Sequence, residues 1–380
     1  MHNEPVSTET QAVLADRGRS KLLSRLPSLD GWRAVSIVLV LGGHTIFTAG
    51  FPSELRSLFS WTFDGNLGVR CFFLISGLLI TWLLILEHDR TRRVNLWHFY
   101  ARRALRILPV YFSFLLVIAL LAHFTPYHLT GTEWIGNLTF TRNFMGTGFT
   151  TDHLWSLSVE EQFYILWPGL FVALGMTGNR NLLRLLAIPV FLAPLSRVMG
   201  HRPDLLSVGS LLQGYSFFNY FDSLAIGCAC AILLARRRDW IEGWFRRRPR
   251  AIFCTGLVLV GVVHVLNQFV AGSYLLRALV VCFGSSAQAF GIALLVLQSI
   301  VMPRWFVFQA LNWGWVRRIG VLSYSIYIWQ QIFCSKPGTF GLGNVWWMSF
   351  PGWLVPAVVL GFISYYGFEK PFLKLRARFR

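Results

Sequence analysis

The sequence predicts an all-α fold, a polytopic bundle of about ten transmembrane helices with both termini in the cytoplasm. Three observations lead there. Of 380 residues, 54% are hydrophobic and only 14% charged, against roughly a quarter charged in an ordinary soluble domain. A mean hydropathy of +0.52 leaves no room for one soluble core inside a polar coat. Lys and Arg also fall in short blocks between apolar runs, which is how the positive-inside rule writes orientation into a chain. The same figures exclude intrinsic disorder, a collagen-like fibre and a disulfide-rich secreted module.

Apolar stretches of about membrane length lie at 32–50, 67–86, 107–124, 155–175, 182–199, 217–235, 251–270, 274–300, 319–335 and 349–368. Of the basic residues, 27 sort to one side of these spans. Only Arg56, Arg142, Arg197, Arg202 and Lys336 fall on the other, with Arg33, Arg70 and Arg277 at or inside spans. The expected topology therefore puts the 125–154 loop outside. Residues 1–28 are expected to be a flexible cytoplasmic tail without a signal peptide, 29–375 one membrane domain, and 376–380 a basic tail. The formal charge of +18 then reports orientation, and nucleic acid is not an expected partner. All six cysteines lie in or beside apolar runs and read as packing residues. No His or Cys stands at metal-ligand spacing, so no metal is expected.

Ionisable groups inside a span are costly and point to function. Arg33 and His44 stand eleven residues apart in LDGWRAVSIVLVLGGHTIF. Eleven helical residues rise about 16 Å and turn about 1100°, close to three full turns, so the two share a face. Gly42 and Gly43 should leave room beside the ring, and a neutral imidazole is the side chain best suited to take a proton near pH 7. The bland alternative is a histidine bonded to a neighbouring helix. Ser76-Gly77, in the middle of an apolar span, fits a site or simply close helix packing. Arg102, Arg103 and Arg106 precede Pro109. Arg103 and Arg106, at i and i+3, project together and suit phosphate groups, topology signalling or anionic lipid equally.

The outer loop ends in DHLWSLSVEEQFYILWP, grouping Asp152, His153, Glu160 and Glu161 at the outer mouth of span 4. A capping box from Ser158 to Glu161 would explain one glutamate; a catalytic or acceptor-binding role is the alternative. Asp222, alone in an apolar helix, needs a partner that the sequence does not name. Tyr324 and Tyr327 in SYSIYIWQQ are further buried polar candidates, and Glu369 is expected to pair with a local Arg or Lys.

These motifs together resemble the membrane acyltransferase-3 family, which includes O-antigen, exopolysaccharide and nodulation-factor O-acetyltransferases. The resemblance runs from about Leu29 to Leu375 through LDGWRA with His44, GVRCFFLISG, FYARRALRILP, LWSLSVEEQFY, FDSLAIG, SYSIYIWQQ and FEKPF, in the family's order. It implies an enzyme of the inner (plasma) membrane that moves an acyl group, usually acetyl from cytoplasmic acetyl-CoA, to a hydroxyl of a cell-envelope glycan or lipid-linked saccharide. It further implies His44 as the essential histidine, Arg33 as its basic partner and Glu160 as the acid of the Ser-Val-Glu motif. Arg103 and Arg106, with Arg102 and Ser76 beside them, are the implied contacts for acyl-CoA. Asp152, Glu161, Asp222 and Tyr324 are expected on the acceptor side. One departure stands out: where many members read Trp-His-Gln, this chain has Trp329-Gln330-Gln331, and Gln330 cannot act as a base. The hydrolase-like extension of some members is also expected to be absent. A lipid or sugar transporter using His44, Asp222 and Glu160 as a proton path, a non-catalytic scaffold, and an acyltransferase acting on a small diffusible acceptor are the competing expectations.

Overall fold

A computed structural model describes residues 26–145, 148–174, 180–201, 215–269 and 278–379. The predicted tail through residue 25, together with Arg202 and Arg277, lies outside the described residues. Within them the chain is helical, with one isolated bridge between Ala49 and Ser349. The principal helices are α1 (Leu29–Thr45), α2 (Ser53–Thr62), α3 (Gly65–Thr91), α4 (Leu96–Phe124), α5 (Gly131–Leu138), α6 (Leu154–Ala173), α7 (Arg180–His201), α8 (Phe217–Arg236), α9 (Arg238–Arg247), α10 (Pro249–Phe269), α11 (Ser285–Val301), α12 (Gly314–Phe333), α13 (Leu354–Ser364) and α14 (Lys370–Leu375).

Helix is found at each predicted span, but six stretches among the described residues are long and apolar enough to cross a membrane: Ser53–Thr91, Leu96–Phe124, Leu182–Gly200, Phe217–Arg236, Pro249–Leu266 and Val280–Val301. The other four positions fall short for identifiable reasons. Helix α1 has 17 residues and α13 only 11 before a π turn at Tyr365–Glu369. Helices α6 and α12 are 20 residues each but carry Glu160, Glu161 and Gln162, and Arg317, Arg318, Gln330 and Gln331. Of these, α1, α6 and α12 carry Arg33, His44, Glu160, Tyr164, Tyr324, Tyr327, Gln330 and Gln331.

Helices α3 and α8 pack closely against each other, and glycine makes that approach possible. A Cβ on Gly77 would lie 2.1 Å from the Leu224 carbonyl oxygen, and one on Gly227 2.1 Å from that of Leu74. Gly77 therefore serves packing, which frees its neighbour Ser76 to face elsewhere. The apolar window of α8 is 78% buried, whereas that of α10 is 17% buried; α8 is central and α10 turns its apolar surface outward. Helix α4 runs unbroken through Pro109, so its three arginines sit on the same rod as the span that follows them. At Gly42 a Cβ would lie 2.2 Å from the Phe63 ring. Gly42 is thus packed against Phe63, because only a bare backbone lets that ring approach so closely, while Gly43 lines a cavity together with His44.

Candidate active site

Two pockets among the described residues gather the polar side chains. The first is walled by Arg33, Ser76, Arg103, Arg106, Glu160, Tyr164 and Tyr324 among others. The second is walled by His44, Asp64, Asp152, His153, Trp155, Tyr215, His264 and Gln331 among others. Val69 and Tyr327 line both, so these two side chains form a common wall between the cavities. Helix α1 runs past both, with Arg33 in one and His44 in the other, as their shared face requires.

The first chamber is built from charged groups that partly answer one another. Ser76 Oγ donates to Glu160 Oε1 at 2.7 Å, and Tyr164, one helical turn beyond Glu160, donates its hydroxyl to Ser76 Oγ at 3.2 Å. Arg33 reaches Asp30 at 3.3 Å. Arg106 lies 3.6 Å from Glu369, which also accepts from Ser325 at 3.0 Å; the local ion pair expected for Glu369 is present. Arg103 is held over the rings of Phe99 and Tyr164 at 5.7 and 5.5 Å, a cation–π arrangement. Tyr324 donates to the Ile107 carbonyl at 2.8 Å.

The second chamber is built from imidazoles, amides and aromatic rings. His44 Nδ1 and Gln330 Oε1 are 2.9 Å apart. Trp155 and Tyr215 stack at 4.2 Å between centroids, and His264 lies 3.6 Å from the Asp64 carboxylate. Tyr327 is pinned at the junction by hydrogen bonds to Ser156 Oγ at 2.6 Å and the His153 carbonyl at 3.0 Å.

The predicted site residues therefore divide between several places. Arg33, Ser76, Arg103, Arg106, Glu160 and Tyr324 share the first chamber; His44 and Asp152 share the second. Tyr324, expected on the acceptor side, stands instead with the arginines. Glu160 stands there too rather than at an outer mouth, because the 125–154 loop dips into the protein: a single turn at Phe149–Asp152 leads into α6 with His153, Leu154 and Trp155 already buried. For the same reason no capping box forms, since Ser158 lies inside α6 and bonds back to the Leu154 carbonyl. Arg102 lines neither cavity and pairs with Glu87 at 2.6 Å. Glu161 lines neither, and its Oε1 is buried without a hydrogen-bond partner. Asp222 is closed into an ion pair with Arg197 at 2.6 Å and also accepts from Ser286 at 2.6 Å and the Ser223 N–H at 2.8 Å. That cluster locks α7, α8 and α11 together, leaving Asp222 far from free.

Sequence reasoning passed over Tyr164, Asp64, His264 and the amides of Gln330 and Gln331. Tyr164 had a readable signal, one turn after Glu160 on the same helix face. Asp64 had none, because only the folded α2–α3 connection carries it to the second chamber. Among the described residues no group of three or more His, Cys, Asp and Glu is placed to hold a metal ion.

The helices and the polar interior define a multi-pass membrane protein with two adjoining chambers. The chain belongs to the family described as an acyltransferase domain, which matches residues 26–366. It is 26% identical to the putative peptidoglycan O-acetyltransferase YrhL of Bacillus subtilis over 376 residues, 91% of this chain and 54% of that protein. It is 26% identical to the peptidoglycan O-acetyltransferase OatA of Listeria monocytogenes over 338 residues, 80% of this chain and 49% of that protein. Over 157 residues, 38% of this chain and 24% of the relative, it is 34% identical to the O-acetyltransferase OatA of Staphylococcus aureus. The chain spans about half the length of the first two relatives. No solved structure matches it.

Proposed function

We propose that the protein is a membrane O-acyltransferase that moves an acetyl group from acetyl-CoA to a hydroxyl of a cell-envelope glycan, with peptidoglycan the first acceptor to test. One observation carries the reading: an arginine chamber suited to an anionic donor meets an imidazole chamber suited to a neutral hydroxylated acceptor at Val69 and Tyr327. The names of the relatives support the acceptor class.

In this reading Arg33, Arg103 and Arg106 hold the donor's phosphates through charge-assisted hydrogen bonds, at the cytoplasmic end assigned by the positive-inside pattern. The thioester extends to the junction. His44 removes the proton of an acceptor hydroxyl, the oxygen attacks the thioester carbonyl, the C–S bond breaks, and the departing thiolate takes the proton back from the imidazolium. The apolar bundle excludes water and favours transfer over hydrolysis. Trp155 and Tyr215 supply a stacked aromatic wall against which a sugar ring fits, and Asp152 and Asp64 supply acceptors for its hydroxyls.

The test uses membrane vesicles containing the full chain, acetyl-labelled acetyl-CoA and peptidoglycan or its lipid-linked precursor. Wild type should place alkali-labile label in the glycan, and His44→Ala at matched expression should not. Label appearing instead in a small soluble product would replace the glycan with a diffusible acceptor. Flux of lipid or sugar without any CoA requirement would replace the enzyme with a transporter.

A further inference from the structure

Histidine has two ring nitrogens, and in the neutral ring one donates while the other accepts. Which does which at His44 decides whether a lone pair is available to a substrate, and a hydrogen-bond chain leading back to the main chain determines it. The chain starts at the Phe149 carbonyl, which only accepts. Gln331 Nε2 lies 2.9 Å from it, so the Gln331 amide must turn its NH₂ that way and its Oε1 the other. Gln330 Nε2 donates to that Oε1 at 2.9 Å. This leaves Gln330 Oε1 for His44 Nδ1, at 2.9 Å. An amide oxygen only accepts, so Nδ1 must carry the hydrogen and Nε2 the lone pair. Gln330 and Gln331 are 0% and 2% exposed, and reversing either amide would set two acceptors face to face.

We infer that Gln330 and Gln331 are positioning residues whose relay from the Phe149 carbonyl holds His44 as the Nδ1–H tautomer and presents Nε2 to the second chamber as the proton acceptor. The inference deepens the acyl-transfer reading and rests on it for the role of Nε2; the tautomer stands apart from any activity. It also gives the Trp329-Gln330-Gln331 sequence a purpose that needs no base at position 330. His153 provides an internal contrast. Its Nε2 faces the Ile328 carbonyl at 3.0 Å, so it carries the opposite proton, on Nε2, and its tautomer depends on main chain alone.

Nitrogen-15 NMR of the full chain in liposomes, with labelled histidine and His44 assigned through His44→Gln, reads this directly at pH 8, where an unperturbed imidazole is neutral. Wild-type His44 should show the Nδ1–H pattern. In Gln330→Leu the Nε2–H form should gain population at His44 while His153 stays unchanged. Nε2–H at wild-type His44, or no change in Gln330→Leu, overturns the inference whatever the activity. In the transfer assay Gln330→Leu should lower kcat by a factor on the order of 10². Gln330→Glu, which still accepts from Nδ1–H but sets a carboxylate oxygen against Gln331 Oε1 in place of the donor, should lose less transfer than Gln330→Leu. Its carboxylate also favours the imidazolium, so the acid limb of the pH–rate profile should move to higher pH. The other titratable groups lining the chamber, Asp64, Asp152, His153, Tyr215, His264 and Tyr327, are unaltered in this variant, so a limb that stays in place contradicts the relay. If the NMR pattern holds while neither wild type nor Gln330→Glu transfers label, the positioning stands and the acyltransferase reading is what fails.

Discussion

The two chambers share a wall at Val69 and Tyr327 and differ in almost every other respect. The first gathers three guanidinium groups and the Glu160 carboxyl. Arg33 is paired with Asp30, Arg106 with Glu369, and Arg103 lies over the rings of Phe99 and Tyr164. The second places His44 against an amide, Trp155 against Tyr215, and one imidazole beside one carboxylate. Burying charge is expensive unless it is answered, and in the first chamber the three guanidinium groups are answered by Asp30, Glu369 and, in the same pocket, Glu160, so an anionic ligand there would compete with Glu160 for them. Surrounded by guanidinium groups an imidazole would resist taking a proton, and eleven residues of helix, about 16 Å, keep His44 away from Arg33.

This division predicts separable kinetic defects. Arg103→Gln removes a guanidinium that rests on the rings of Phe99 and Tyr164 and leaves the ion pairs of Arg33 with Asp30 and Arg106 with Glu369 in place. Loss of a charge-assisted hydrogen bond of about 1.5–3 kcal/mol should raise the KM for the donor by about 10- to 100-fold, with kcat little changed. His44→Ala should do the opposite and lower kcat by about 10²–10⁴ while donor binding persists. Both variants acting on the same parameter would break the comparison and make the two chambers one site.

A smaller effect sharpens the boundary. Ser76 already donates its proton to Glu160 and accepts from Tyr164. If the trio holds the donor, Ser76→Ala should reduce transfer by about tenfold, the worth of one hydrogen bond to a charged group. A loss as deep as that of His44→Ala, together with disappearance of label bound to the protein itself, would place the acyl group on Ser76 and make the first chamber a reacting centre.

Much of this arrangement was legible before any coordinates, and the legible part has a common cause. Helical periodicity is local, so the shared face of Arg33 and His44, the pairing of Arg103 with Arg106 and the presence of helix at each apolar run could be read from spacing alone. What spacing does not carry is depth and partner. The sequence placed Glu160 at a loop-end mouth, yet the buried turn at Phe149–Asp152 draws it in beside the arginines. It left Asp222 without a partner, because Arg197 sits 25 residues away on α7. It dismissed Gln330 as chemically inert, which is correct for Gln330 as a base and blind to what an amide does when a main-chain carbonyl fixes its orientation. Helices α6 and α12 fall short as membrane-crossing stretches because α6 carries Glu160, Glu161 and Gln162, and α12 carries the exposed Arg317 and Arg318 with the buried Gln330 and Gln331.

The mildest prediction concerns Asp152, the acidic residue from the 125–154 loop that lines the second chamber. Burial pushes its carboxyl above the ordinary aspartate range, with Arg142 pulling partly the other way. A raised carboxyl is at a disadvantage in the folded protein at every pH where it is ionised, and that disadvantage disappears once falling pH protonates it in both states. Asp152→Asn should therefore have a Tm at or above that of wild type at pH 7.5, with the gap closing as the pH falls through the carboxylate range. If Asp152 binds a sugar hydroxyl, the same variant should raise the acceptor KM by no more than about tenfold, since an amide oxygen still accepts. A lower Tm at neutral pH would show instead that the pull of Arg142 outweighs burial, making Asp152 a structural counter-ion of the loop and leaving Asp64 as the carboxylate free to meet an acceptor.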